Sequence, residues 1–183
     1  MAAPTDQQPL ALTVQKPPSR VPFAAAPAAL VLALVATLAT NSPEHEGRRL
    51  TPYRDSGGVW TACAGITGKA VVPGKTYTVT ECEGLESAYV TRMLDNMGRC
   101  VKGEYTFAEI KAWGHFAYNV GTDAFCRSTA ARRLNAGERK SACAEISKWV
   151  YVAGKDCRNA ESNCLGIPKR RAWERSVCEG AIQ

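Results

Sequence analysis

With 183 residues the chain has room for one globular domain and an appendage, which excludes a multidomain assembly within it. The formal charge of +6 stays almost wholly with the part after residue 43, which keeps 21 basic and 16 acidic side chains; it favours anionic partners such as nucleic acid, a membrane surface or a bacterial wall, or simply solubility. No Gly-rich phosphate loop and no helix-turn-helix signature accompanies the charge, so nucleotide and DNA chemistry are set aside.

Residues 1–22 are polar and Pro-rich, with Lys16 and Arg20 near the end. Val21 to Pro43 then carries no charge, and its apolar heart, Phe23 to Ala39, is just long enough to cross a bilayer as a helix. Basic residues before it and Glu44 and Glu46 after it predict the N-terminus inside and the domain outside. Three readings are open. A cleaved signal peptide has a passable site at Thr37-Leu38-Ala39. A permanent anchor wants more Leu and Ile than this Ala-rich stretch offers. A signal-arrest-release segment inserts first and leaves later. Low hydrophobicity favours the third reading, because each buried methylene adds about 0.8 kcal/mol to the hold of the lipid.

Leu50 to Thr80 follows, with short β-prone runs such as Val59-Trp60-Thr61-Ala62 between glycine turns, and reads as a small antiparallel sheet. Helical periodicity comes next. Thr80-Glu81-Cys82-Glu83 reads as a capping box ahead of Leu85, Tyr89, Met93 and Met97, and Thr106 to Glu109 repeats the signature ahead of Ile110, Trp113 and Ala117. A third helix is expected over Ser128 to Asn135, a fourth over Lys140 to Val150, and a fifth opening near Pro168. The fold class is α+β, a small sheet and then a larger helical lobe, preceded by an N-terminal membrane helix.

Eight cysteines, Cys63, Cys82, Cys100, Cys126, Cys143, Cys157, Cys164 and Cys178, all follow the apolar segment and read as disulfides of an oxidising compartment. Cys157 with Cys164, and Cys143 with Cys178, are candidate pairs. The absence of a Cys-x2-Cys pair and the presence of only two histidines speak against zinc; no metal and no cofactor are expected.

The chemistry concentrates between Glu46 and Thr61. Glycoside hydrolysis needs one carboxylic acid to protonate the departing oxygen and a second carboxylate to position water or stabilise developing positive charge. Glu46, next to an apolar segment, suits the acid. Asp55, among Ser56 and glycines, suits the ionised partner, and the Thr61 hydroxyl can hold the attacking water. Spacing alone is compatible with coincidence; the neighbouring residues are not. Glu46, Gly47, Arg49, Leu50, Tyr53, Asp55, Gly58 and Thr61 fill a window that resembles the Glu-x8-Asp-x5-Thr signature of the phage-type lysozymes, glycoside hydrolase family 24. Trp60 to Lys69, Phe116-Ala117-Tyr118-Asn119-Val120-Gly121 and Leu165 to Glu174 are similar to further segments of membrane-tethered phage endolysins, with Ile167 in place of a Leu.

The resemblance covers about residues 20–183. It implies a lysozyme-like two-lobed fold and a signal-arrest-release endolysin, with a leader over 1–22, a membrane segment over 23–41 and a muramidase domain over 44–183. It implies peptidoglycan as substrate, residence in the host inner membrane and then the periplasm, and action as a monomer without nucleic acid. Catalysis falls to Glu46, Asp55 and Thr61. Tyr118, Asn119, Arg170 and Arg171 are candidate glycan contacts, with a lobe-junction or solvated-helix role as the plain alternative. Asp55 and the lack of any Cys before Cys63 argue against control by thiol exchange through the membrane segment. His115 and most of the tryptophans are expected to be structural. A lytic transglycosylase and a non-catalytic wall-binding protein are the rival functions.

Overall fold

Helix α3 (Phe107–Val120) is the axis around which the other elements pack, because both of its faces are apolar. Ile110, Trp113, Phe116 and Ala117 are all buried along it. The computed structural model describes residues 20–40, 48–55 and 57–181. In chain order these comprise α1 (Ala28–Thr40), the strands β1 (Arg49–Arg54), β2 (Trp60–Cys63) and β3 (Ile66–Thr67), and the long helix α2 (Val79–Cys100). After α3 come α4 (Thr122–Cys126), α5 (Thr129–Asn135), α6 (Arg139–Glu145), the hairpin β4 (Tyr151–Val152) and β5 (Lys155–Asp156), and α7 (Gly166–Cys178). The first three strands form one antiparallel sheet in the order β1-β2-β3. A small apolar cluster lies under that sheet, and the helices share a larger one. This is the α+β arrangement expected from the sequence.

The membrane helix expected over 23–41 is packed here against the protein. Phe23 and Leu34 are fully buried, with Leu30, Val31 and Val35 nearly so. Val21 exchanges backbone hydrogen bonds with Tyr105, at 2.9 and 2.8 Å, and the Phe23 ring stacks on Tyr105 at 4.6 Å. Burying five such side chains stabilises the domain by about 1.5–3 kcal/mol each. The 13 residues of α1 reach about 20 Å at 1.5 Å per residue, short of a bilayer core of about 30 Å. Among the described residues no helix is long and apolar enough to cross a membrane. Glycines make the close packing possible. A Cβ at Gly114 stands only 2.5 Å from Leu34 Cδ2, and one at Gly98 stands 3.1 Å from Ala24 Cβ.

Several boundaries differ from expectation for identifiable reasons. The capping box of α2 is Thr78 with Glu81, two residues earlier than the Thr80–Glu83 reading. Tyr77 sets this register: it is buried under the sheet and its amide donates to the Leu50 carbonyl. The box at Thr106 and Glu109 matches, as does Ser128 capping α5. The fourth helix ends at Glu145 instead of running to Val150: it tightens to a 3-10 turn over Ile146–Lys148 and leaves helical geometry at Trp149, whose carbonyl accepts from Arg171, while the Val150 carbonyl accepts from the Cys157 amide. All eight cysteines pair, as Cys63–Cys82, Cys100–Cys126, Cys143–Cys178 and Cys157–Cys164. Two of these pairs are the ones anticipated.

Gly114→Ala is expected to lower stability by about 1–3 kcal/mol, overpacking outweighing the better helix propensity of Ala. Chemical denaturation of Gly114→Ala, Leu34→Ala and the double variant checks this. Strongly non-additive losses are the expected outcome, and simple additivity contradicts the Leu34–Gly114 contact.

Candidate active site

The sheet lobe builds an anchored carboxylate. Asp55 follows the last residue of β1, and its backbone closes a turn with Val59 and Gly58. Its Oδ1 accepts from the amides of Gly57 and Val59, both at 2.9 Å, and Thr61 Oγ1 lies 3.3 Å from Oδ2. Gly58 holds φ +75, a conformation that suits glycine. The Val59 amide, followed by those of Gly57 and the Thr61 hydroxyl, holds the Asp55 carboxyl below its ordinary value, so it stays ionised. Thr61 itself is buried on β2, paired with Tyr53 on one side and Thr67 on the other. Pro52 lacks an amide proton, and the pairing of β1 with β2 is irregular between Arg49 and Tyr53, just where Pro52 lies.

A second carboxylate locks this lobe to α2. Glu86 is 2% exposed and accepts from Arg48 Nε at 3.1 Å, Arg48 Nη2 at 2.9 Å and the Ala64 amide at 3.0 Å. Arg48 also reaches Glu83 at 3.0 Å. The Cys63–Cys82 disulfide ties the same two elements, and Cys63 sits at φ +56 to enter the turn. From the helical side, Tyr118 Oη donates to the Ala64 carbonyl at 2.6 Å, and its ring meets Tyr89 edge-on. Burial pushes the Tyr118 hydroxyl far up, so it remains a donor.

Beyond Tyr118, the end of α3 opens onto a cleft of about 460 Å³, lined by Asn119, Trp149, Tyr151, Val152, Ile167 and Arg171 among others. Arg171 is buried and fully engaged. It donates Nε to the Trp149 carbonyl at 3.0 Å, Nη1 to Glu174 at 2.5 Å and Nη2 to Asn119 Oδ1, with its guanidinium over the Phe116 ring. Glu174, fully buried, also pairs with His115 Nδ1 at 2.9 Å.

Comparison with known proteins decides the family. The sequence profile of the phage lysozyme family matches residues 43–174. The chain belongs to the phage lysozyme family. The SAR-endolysin of Enterobacteria phage PA-2 is 35% identical over 166 residues, covering 88% of this chain and 96% of that protein. Among solved structures, the endolysin of Escherichia coli O157:H7 phage FAHEc1 is similar with a TM-score of 0.64 at 27% identity, covering 84% of this chain and 92% of that one. A mutant form of P22 lysozyme has a TM-score of 0.65 at 27% identity, covering 80% of this chain and 95% of that one. Family membership makes this lysozyme a glycosidase, and its α+β architecture is lysozyme-like.

Within this lysozyme, Asp55 and Thr61 are brought together, and Asn119 and Arg171 meet at one cleft. Tyr118 serves the lobe junction through Ala64, and Arg170, on α7, is outside the residues lining the cleft. Glu46 lies outside the described residues. His115 is the structural residue expected, and Cys63 is a disulfide partner. Sequence reasoning missed Arg48, Glu86 and Glu174. Arg48 beside Arg49, and Glu83 with Glu86 one helical turn apart, are weak signals, since 38 residues separate the Arg48–Glu86 partners.

Arg48→Met is expected to destabilise the lysozyme by about 1–3 kcal/mol, because Glu86 keeps the Ala64 amide but loses its charged donors. Arg48→Lys should recover less than half, lacking the guanidinium fork. Urea denaturation of both variants measures this, and unchanged midpoints contradict the clamp.

Proposed function

We propose that this lysozyme is an endolysin that hydrolyses the β-1,4 bond between N-acetylmuramic acid and N-acetylglucosamine in peptidoglycan. Glu46 is the general acid, Asp55 the ionised carboxylate, and Thr61 positions the attacking water. The observation that carries this reading is the carboxylate of Asp55, held charged by two amides inside the family's signature window. An ionised carboxylate opposite an acid meets the electrostatic need of an oxocarbenium-like transition state. Glu46 precedes Arg48, which the pairing with Glu86 anchors, by two residues in the sequence. Asn119, held in place by Arg171, offers its amide to the sugars beside the indole of Trp149.

The N-terminal segment fits release better than cleavage. In this reading 23–41 first holds the chain in the host inner membrane, N-terminus inside, and later docks as α1 in the periplasm. Cleavage near Thr40 would discard Phe23, Leu30, Leu34 and the rest of the buried set, leaving α2 and α3 uncovered. That is a large loss against a domain stability of about 5–15 kcal/mol.

Glu46→Gln is expected to lower release of reducing ends from purified walls by about 10²-fold or more, with the melting temperature unchanged. Full activity in that variant refutes the assignment, and anhydro-sugar products would point to a transglycosylase instead. The acid limb of the rate profile has a definite sign. Because the Asp55 carboxyl is depressed in the folded state, its charge and its contribution to stability persist above about pH 4 and fall away only below it. A loss of kcat/KM assignable to Asp55 above about pH 5 contradicts this. For release, collapse of the proton-motive force should move uncut protein from membrane to periplasm; recovery of only a form beginning near residue 40 favours a signal peptide.

A further inference from the structure

The cleft at Asn119 and Arg171 has an outer wall that its polar groups do not need. It is made of the β4–β5 hairpin and the loop closed by Cys157–Cys164. Ala153 and Gly154 both take positive φ, which makes the hairpin turn tight, and the Cys157 amide bonds the Val150 carbonyl at 2.8 Å. The wall is therefore rigid, yet its outward side chains are apolar. Tyr151 is 59% exposed, Val152 47% and Leu165 46%.

Tyr151 is also held in place. Arg158 Nη2 donates to its Oη at 3.1 Å, with the guanidinium carbon 5.7 Å from the ring centroid. Arg158 is fixed in turn by two nitrogens on Asp156, whose carboxyl it holds down at about 2. A fixed aromatic ring with an open face, two residues along the chain from Trp149, is a surface suited to the apolar face of a pyranose. It is continuous with a cleft whose remaining lining includes the primary amide of Asn119 and the indole of Trp149, groups that recognise acetamido and hydroxyl substituents and sugar faces.

Resting on the muramidase reading, we propose that Tyr151, backed by Arg158 and the 157–164 disulfide loop, forms an outer saccharide subsite that stacks a sugar of the glycan strand beyond those held at Asn119 and Trp149. The occupant is a long β-1,4 amino-sugar chain, and the subsite determines preference for chain length while leaving the chemical step alone.

Steady-state kinetics on peptide-stripped glycan strands, long and short, test this with the full-length oxidised protein. Tyr151→Ala should raise KM on long strands about five- to tenfold, leave kcat unchanged and leave short oligosaccharides unaffected. Tyr151→Trp should retain the wild-type KM. An unchanged KM on long strands, or an equal change at every length, overturns the subsite while the muramidase reading stands. If the wild-type protein releases no reducing ends, the muramidase reading falls and the subsite with it. Binding to anionic vesicles, or concentration-dependent self-association, that Tyr151→Ala abolishes while glycan kinetics stay unchanged assigns the apolar wall to another occupant and overturns the proposal.

Discussion

Leu34 lying against Gly114 is the contact on which the arrangement of the helices depends. It brings α1 down onto α3 at a distance that any side chain at 114 obstructs. The second half of α1 then reaches the junction between the lobes, where Val35 and Leu38 border Ala64, Glu86 and Tyr118. The described residues on either side of 41–47 are each held, α1 by its buried face and Arg48 by Glu86. The proposed acid, Glu46, falls between them in the sequence. A segment whose composition reads as a membrane helix is thus a wall of the domain core, and the membrane placement proposed for it excludes that packing.

The buried carboxylates and the partly solvated one do different work. Glu86 and Glu174 are each surrounded by donors from distant parts of the chain, Arg48 and the Ala64 amide for one, Arg171 and His115 for the other. Buried ion pairs of this kind add little net stability, because desolvation offsets most of the attraction. Their value here is geometric. One fixes the sheet to α2, and the other fixes α7 to α3 and aims Arg171 at Asn119. Asp55, by contrast, is stabilised by amides of its own turn and keeps its charge. The catalytic proposal depends on that separation between carboxylates that hold structure and a carboxylate that remains free to act on charge.

Much of the local structure is legible from residue patterns. The Thr106–Glu109 box, the Ser128 cap and the sheet between glycine turns all follow from interactions within a few residues. The start of α2 is misread by two residues because Thr78 and Thr80 both offer a box, and only the burial of Tyr77 chooses between them. The fourth helix gives way to a 3-10 turn after Glu145, and the Trp149 carbonyl at its end is held by Arg171, more than twenty residues away, a partner no local pattern encodes. The β4–β5 hairpin is hidden in the sequence because its turn is Ala153-Gly154, an unusual pair for two positive φ values.

The signature window from Glu46 to Thr61 names the family and the candidate chemistry from sequence alone, because the residues that bear chemistry lie close together in the chain. The turn that charges Asp55 is equally local. The tertiary structure decided the rest: that the Ala-rich segment packs as core, that Tyr118 joins lobes while Asn119 and Arg171 line a cleft, and that Glu86 and Glu174 hold the frame. The physical reason is the same in each case. Composition states how apolar or charged a side chain is, but whether it meets lipid, water or a partner far along the chain depends on which surfaces the folded chain brings together.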